Sequence, residues 1–140
     1  MRFQSFFALA FLAASAAAQR VFISAPTNGT AVTPGQNITV TVTEPRTLTG
    51  ATEVAVVISM AACSPICNFD ASQRLGTTLY NGPYHPDPLA PNQPFENFTV
   101  QVPQSLQSGT QTVLSVTHLS LVGAGPFPFL EVQNVTLNVE

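Results

Sequence analysis

Two cysteines, two histidines and seven carboxylates are the residues of this chain whose types could do chemistry. Cys63 and Cys67 are spaced C-x-x-x-C. A structural zinc site needs four ligands, and the two histidines, His85 and His118, lie well away from the pair in sequence. A thioredoxin-type centre has a two-residue gap followed by a helix, which this pair lacks. In an oxidising compartment an even pair becomes a disulfide. Closing so short a loop is expected to contribute about 2 kcal/mol, the low end of the disulfide range. No Gly-x-Ser-x-Gly elbow surrounds any serine. Carboxylates paired for glycoside hydrolysis would have to come from Glu44, Glu53, Asp70, Asp87, Glu96 and Glu131, and each sits singly in a polar or strand setting. His118 falls inside an apolar strand, so it reads as a packed, hydrogen-bonded residue rather than a ligand. The expectation is a protein that is not an enzyme and holds no metal or cofactor.

The elements that must position these residues begin after residue 18. Arg2, the apolar run Phe6 to Ala14 and the small residues Ala16 to Ala18 have the three-part layout of a cleaved secretory signal. The run is shorter than the roughly 20 apolar residues that span a bilayer. Cleavage after Ala18 leaves one domain, 19–140, of 122 residues. The N-terminal histidine that copper-dependent polysaccharide oxidases use is then missing, because the mature chain starts at Gln19 or Arg20. The closing Asn134 to Glu140 has no hydrophobic tail of the kind that directs a glycolipid anchor. The expected protein is therefore secreted and extracellular, with no membrane anchor.

Charge narrows the partners. The chain has no lysine, and Arg20, Arg46 and Arg74 face seven acidic residues, a mature net charge of −4. Nucleic-acid binding requires clustered cations that release counterions, and none cluster here. Solubility is expected to come from glycans. Four sequons with Thr at the third position occur at Asn28, Asn37, Asn97 and Asn134.

The pattern along the chain is one of strands and turns. Asn37 to Thr43 alternates strictly, with Ile38, Val40 and Val42 on one face. Asn97 to Val102 and Val132 to Val139 alternate too, and in all three strands the sequon asparagine falls on the polar set. A one-residue slip would bury the asparagine and expose the core. Val21 to Ala25, Glu53 to Met60, Gly76 to Tyr80 and Thr112 to Val122 complete about seven strands. That predicts an all-β, immunoglobulin-like antiparallel β-sandwich, with a jelly roll or small barrel as the alternative. The absence of tryptophan and of a Cys…Trp…Cys spacing excludes an antibody-type domain.

Two loops stand out as contact surfaces. Asn81 to Pro94 holds five of the twelve prolines and follows or carries Tyr80, Tyr84 and His85. It cannot pair as a central strand. Its alternative role is a strand connector stiffened by proline. The stretch Val122 to Leu130 carries Phe127 and Phe129, which either plug one end of the sandwich or form an apolar patch for a partner.

The segments Leu75-Gly-Thr-Thr-Leu-Tyr-Asn-Gly-Pro83, Phe98-Thr-Val-Gln-Val-Pro103, Leu119-Ser-Leu-Val-Gly-Ala124 and Asn134-Val-Thr-Leu-Asn-Val139, in this order after a signal peptide, resemble the fungal necrosis-inducing secreted protein family of effectors. The resemblance implies a fungal, non-enzymatic protein secreted into a host. Its implied partner is a host protein, in particular the plant receptor-like kinases that such effectors inhibit, with cell death as a second outcome. The Cys63/Cys67 loop and the proline-rich insert do not map onto the family pattern. Ile23 to Thr30 with Pro34-Gly35 also resembles wall-associated immunoglobulin-like modules of fungi. That resemblance implies a structural role or binding of a cell-wall glycan. Those modules usually precede a Ser/Thr-rich stalk, and carbohydrate binders usually present coplanar aromatics. Neither feature is present here, so the effector reading is preferred.

Overall fold

The computed structural model describes residues 20–46, 50–64 and 66–140. The expected signal segment 1–18 lies outside them. Among the described residues there are eight strands and no helix. They are β1 (Phe22–Ala25), β2 (Ala31–Val32), β3 (Asn37–Thr43), β4 (Ala51–Ala62), β5 (Thr77–Gly82), β6 (Phe95–Gln101), β7 (Gln111–Val122) and β8 (Phe127–Val139).

Strands β1-β3-β6 form one sheet and β2-β8-β7-β4-β5 the other. The two pack as a sandwich, the larger sheet curling like half a barrel. In immunoglobulin lettering the order is A-B-E against G-F-C-C′, with β2 added beside G. The alternation explains the packing. Val40 and Val42 of β3, Phe98 and Val100 of β6, and Val135, Leu137 and Val139 of β8 are all buried. They meet Val56, Ile58 and Met60 of β4 and Leu114 and Val116 of β7 in one core.

Three details differ from the sequence reading. There are eight strands rather than about seven, because β2 has two residues and carries no readable alternation. It runs parallel to β8, pairing Ala31 with Asn138 and Val32 with Val139, so the sandwich is not wholly antiparallel. Strand β8 starts at Phe127, where pairing with Val122 continues the β7 ladder to the hairpin turn. Phe127 therefore does not plug the sandwich end: it is 54% exposed.

Cys63 and Cys67 are disulfide-bonded, their Cα atoms 4.8 Å apart. The bonded loop folds back over the outer face of the larger sheet. Cys63, Ala71 and Val113 form a small second core there, with Phe69 and Val132 against it. Arg74 closes this loop, its guanidinium 4.7 Å over the Phe69 ring and donating to the Ala62 carbonyl. The chain then enters β5 through Gly76 at φ +75°, where a β-carbon would collide with the Met60 carbonyl oxygen and Ala61. Gly76→Ala is expected to cost about 2 kcal/mol, combining the left-handed backbone penalty with displaced neighbours. The check is a lower urea midpoint at unchanged m-value; an unchanged midpoint would mean that the loop takes another path.

Candidate functional site

Strand register brings together carboxylates that stand singly in the sequence. His118 on β7 pairs directly with Glu131 on β8. A bulge between Glu53 and Ala55 shifts the β4–β7 register beside His118. Bulges re-aim side chains in this way. The buried imidazole lies between the two carboxylates: Nδ1 is 3.1 Å from Glu131 Oε1, and Nε2 hydrogen-bonds Glu53 Oε2. Glu131 also accepts the Val21 backbone N–H at 2.8 Å and the Gln133 amide at 3.0 Å. Glu44, which follows β3, shares a hydrogen bond with Glu53. The expectation that these carboxylates act singly is thus corrected.

The electrostatics follow from this geometry. Burial alone would push the His118 imidazole down, but hydrogen bonds to Glu131 and Glu53 and their charges outweigh it and hold the group at about 9. Burial, and then the neighbouring charge of Glu53, raises the Glu44 carboxyl to about 7. Burial pushes the Tyr84 phenol above its usual range, and Glu44, Glu53, Glu96 and Glu131 add to the effect. Both imidazole nitrogens are engaged, so neither is free to take a substrate proton or bind a metal. Among the described residues, no three His, Cys, Asp or Glu are placed to hold a metal ion. The cluster acts as a tie, fastening β4 and β8 to β7 and Val21, the residue before β1, to β8.

Above this tie sits the proline-rich segment, and here the expected contact residues separate. Tyr84 is not on the surface but fully buried. Its hydroxyl donates to the Val42 carbonyl at 3.2 Å, and its ring meets His118 edge-on at a centroid distance of 5.4 Å. An aromatic ring flanked by prolines reads in sequence as a surface anchor; it is instead the plug that fixes the loop to the core. Tyr80 is half-buried, 4.7 Å from the Phe98 ring, and donates to the Pro83 carbonyl. His85 is exposed, its backbone N–H bound to Glu96. Arg46 clamps the tip, donating to the carbonyls of Pro88, Ala90 and Asn92. Leu89, at the apex, is 88% exposed. The sequence reading missed Leu89; an isolated leucine between prolines was the available signal.

Beside the loop, Phe22, Thr41, Thr43, Phe95 and Asn97 floor a groove of about 470 Å³, and Ala90 to Gln93 wall it. At the β7–β8 hairpin, Phe127 is exposed, Leu130 is 65% exposed and Phe129 is half-buried. All four sequon asparagines are exposed, with Asn37 and Asn97 on the smaller sheet, Asn134 on β8 and Asn28 in the turn before β2. A family model described as the Nis1 family matches residues 16–138. No curated protein matches the chain.

Proposed function

Given that the chain belongs to the Nis1 family, a fungal effector family, we propose that it is a secreted protein that works by binding a host protein, with plant receptor-like kinases as the partner class. It does so with its signal segment 1–18 removed and 19–140 folded as one domain. The observation that carries the reading is the clamped loop. Tyr84 roots it in the core, Arg46 fastens its carbonyls, Leu89 projects from the apex and His85 is exposed. A loop already held in one shape loses little entropy on docking, and β-sandwiches commonly mount recognition on end loops. Phe127 and Phe129 at the hairpin end form the second contact area, and Tyr80 supports the loop from beneath. N-glycans on Asn37, Asn97 and Asn134 cover sheet surface and one on Asn28 covers the turn before β2, which leaves the apex of the loop at Leu89 clear.

The test is affinity for recombinant kinase domains of plant receptor-like kinases, measured by biolayer interferometry. His85→Ala with Leu89→Ala is expected to weaken binding more than about fivefold, the loss of over 1 kcal/mol typical of an interface anchor, with an unchanged circular dichroism spectrum. Unchanged affinity would move the contact to Phe127 and Phe129. A parent protein that binds no kinase domain would remove the partner class.

A further inference from the structure

We propose that the groove on the smaller sheet is a seat for the first sugar of a glycan carried on Asn97. The inference rests on that sequon being occupied and does not depend on which partner the loop binds.

Strand β6 presents Phe95, Asn97 and Thr99 on its outward face, all exposed. Across the sheet, Phe95 pairs with Thr43, which pairs with Phe22; Asn97 pairs with Thr41. Two outward rows result: Phe22-Thr43-Phe95, and Thr41-Asn97 beside Ser24. Thr43 is buried, while Phe22 and Phe95 remain 40% and 36% exposed. The loop from Ala90 to Gln93 turns these rows into a groove of about 470 Å³. That lies within the range of roughly 300–1,000 Å³ usual for small-molecule sites. Of the four sequon asparagines, Asn97 is the one that lines it.

The folded side chain is oriented to carry a sugar in the groove. Thr41 Oγ1 donates to Asn97 Oδ1 at 2.7 Å, which fixes the plane of the carboxamide. Among the described residues no acceptor takes the Nδ2 hydrogens, so the nitrogen that forms the glycosidic bond is free. A pyranose has one face of C–H bonds, positive enough to pack on the negative face of an aromatic ring. Phe95 and Phe22 supply rings. Ser24, Asn92 and Gln93 supply polar groups for the hydroxyls and the N-acetyl amide. Two exposed phenylalanines bordering one groove form an apolar patch that a protein outside the cell has reason to cover. A tethered sugar covers it without the loss of translational freedom that a free ligand suffers.

The test uses the protein secreted from a eukaryotic host with Asn28→Gln, Asn37→Gln and Asn134→Gln, so that Asn97 alone can carry a glycan. An endoglycosidase that leaves one N-acetylglucosamine is compared with an amidase that removes the whole glycan and converts Asn97 to aspartate, and Asn97→Asp secreted without a glycan is the control for the added charge. Trimming to one sugar is expected to leave the melting temperature unchanged, and complete removal to lower it by about 3–6 °C. The N-acetyl methyl signal of that sugar is expected to move upfield in the NMR spectrum under the ring currents. Phe22→Leu with Phe95→Leu keeps the apolar volume but removes both rings; it is expected to abolish the upfield shift and the dependence on the first sugar. An unoccupied Asn97, an N-acetyl methyl at its free-sugar position, or the same stabilisation in the leucine variant would each overturn the proposal.

Discussion

Replacing Tyr84 with alanine is expected to cost about 4 kcal/mol, within the range for removing a large aromatic side chain from a core. The ring is fully buried and meets His118 and Phe98 at centroid distances of 5.4 and 6.4 Å. Removal leaves a cavity that the surrounding strands cannot close, because β3, β6 and β7 are held in register by their ladders. It also takes away the hydroxyl that donates to the Val42 carbonyl. Tyr84→Phe isolates that last contribution and is expected to cost only about 1 kcal/mol, the net value of one hydrogen bond. Urea denaturation of the two variants beside the parent decides it. A loss of 4 kcal/mol is a large part of the 5–15 kcal/mol that holds a domain of this kind folded, so the alanine variant is also expected to give a lower yield of folded protein. If Tyr84→Ala melts like the parent but binds partner weakly, then Tyr84 is a surface anchor and the packing described here is wrong.

The contrast between Tyr84 and its neighbours shows what the sequence could reveal. Alternation is a local property, so β3, β6 and the C-terminal part of β8 were readable together with their buried faces. The exposed positions of Asn37, Asn97 and Asn134 followed from the same register. Tyr84 lies where prolines suppress any period, so its sequence neighbours carry no sign of which way its ring turns. The cluster around His118 was hidden for another reason. Glu44, Glu53, His118 and Glu131 come from four separate segments, and their meeting depends on strand order and on one bulge in β4. Each carboxylate, read alone, looked solvated. Leu89 had no partner to betray it: its exposure comes from Arg46, far away in sequence, holding the carbonyls on either side.

The same cluster is expected to make stability fall as pH rises. His118 is held at about 9, above its ordinary 6.5, so the folded protein keeps a proton that the unfolded chain would release. That contribution is fully present below pH 6.5 and is lost as pH climbs through 9. For so buried a group it amounts to on the order of 3 kcal/mol. Glu44, raised from 4.5 to about 7, works in the same direction over a lower window, its stabilisation eroding from pH 4.5 to 7. Its partial exposure makes that effect the smaller of the two. Asp70 opposes them: hydrogen bonds from Ser72 lower its carboxyl, so its contribution is present above 3.8 and lost in stronger acid. Stability is therefore expected to peak at roughly pH 4–6 and decline towards pH 9. His118→Gln keeps a polar side chain of similar size without the charge. At pH 6 it is expected to cost about 3–5 kcal/mol, because Glu53 and Glu131 then face each other without a cation. Adding Glu131→Gln is expected to restore part of that loss, since the two changes are coupled. Denaturant midpoints from pH 4 to 9 for parent, single and double variants give the answer. The single variant is expected to lose the decline between pH 6.5 and 9; if its curve runs parallel to that of the parent, His118 does not carry the proton, and the tie between the strands is not ionic.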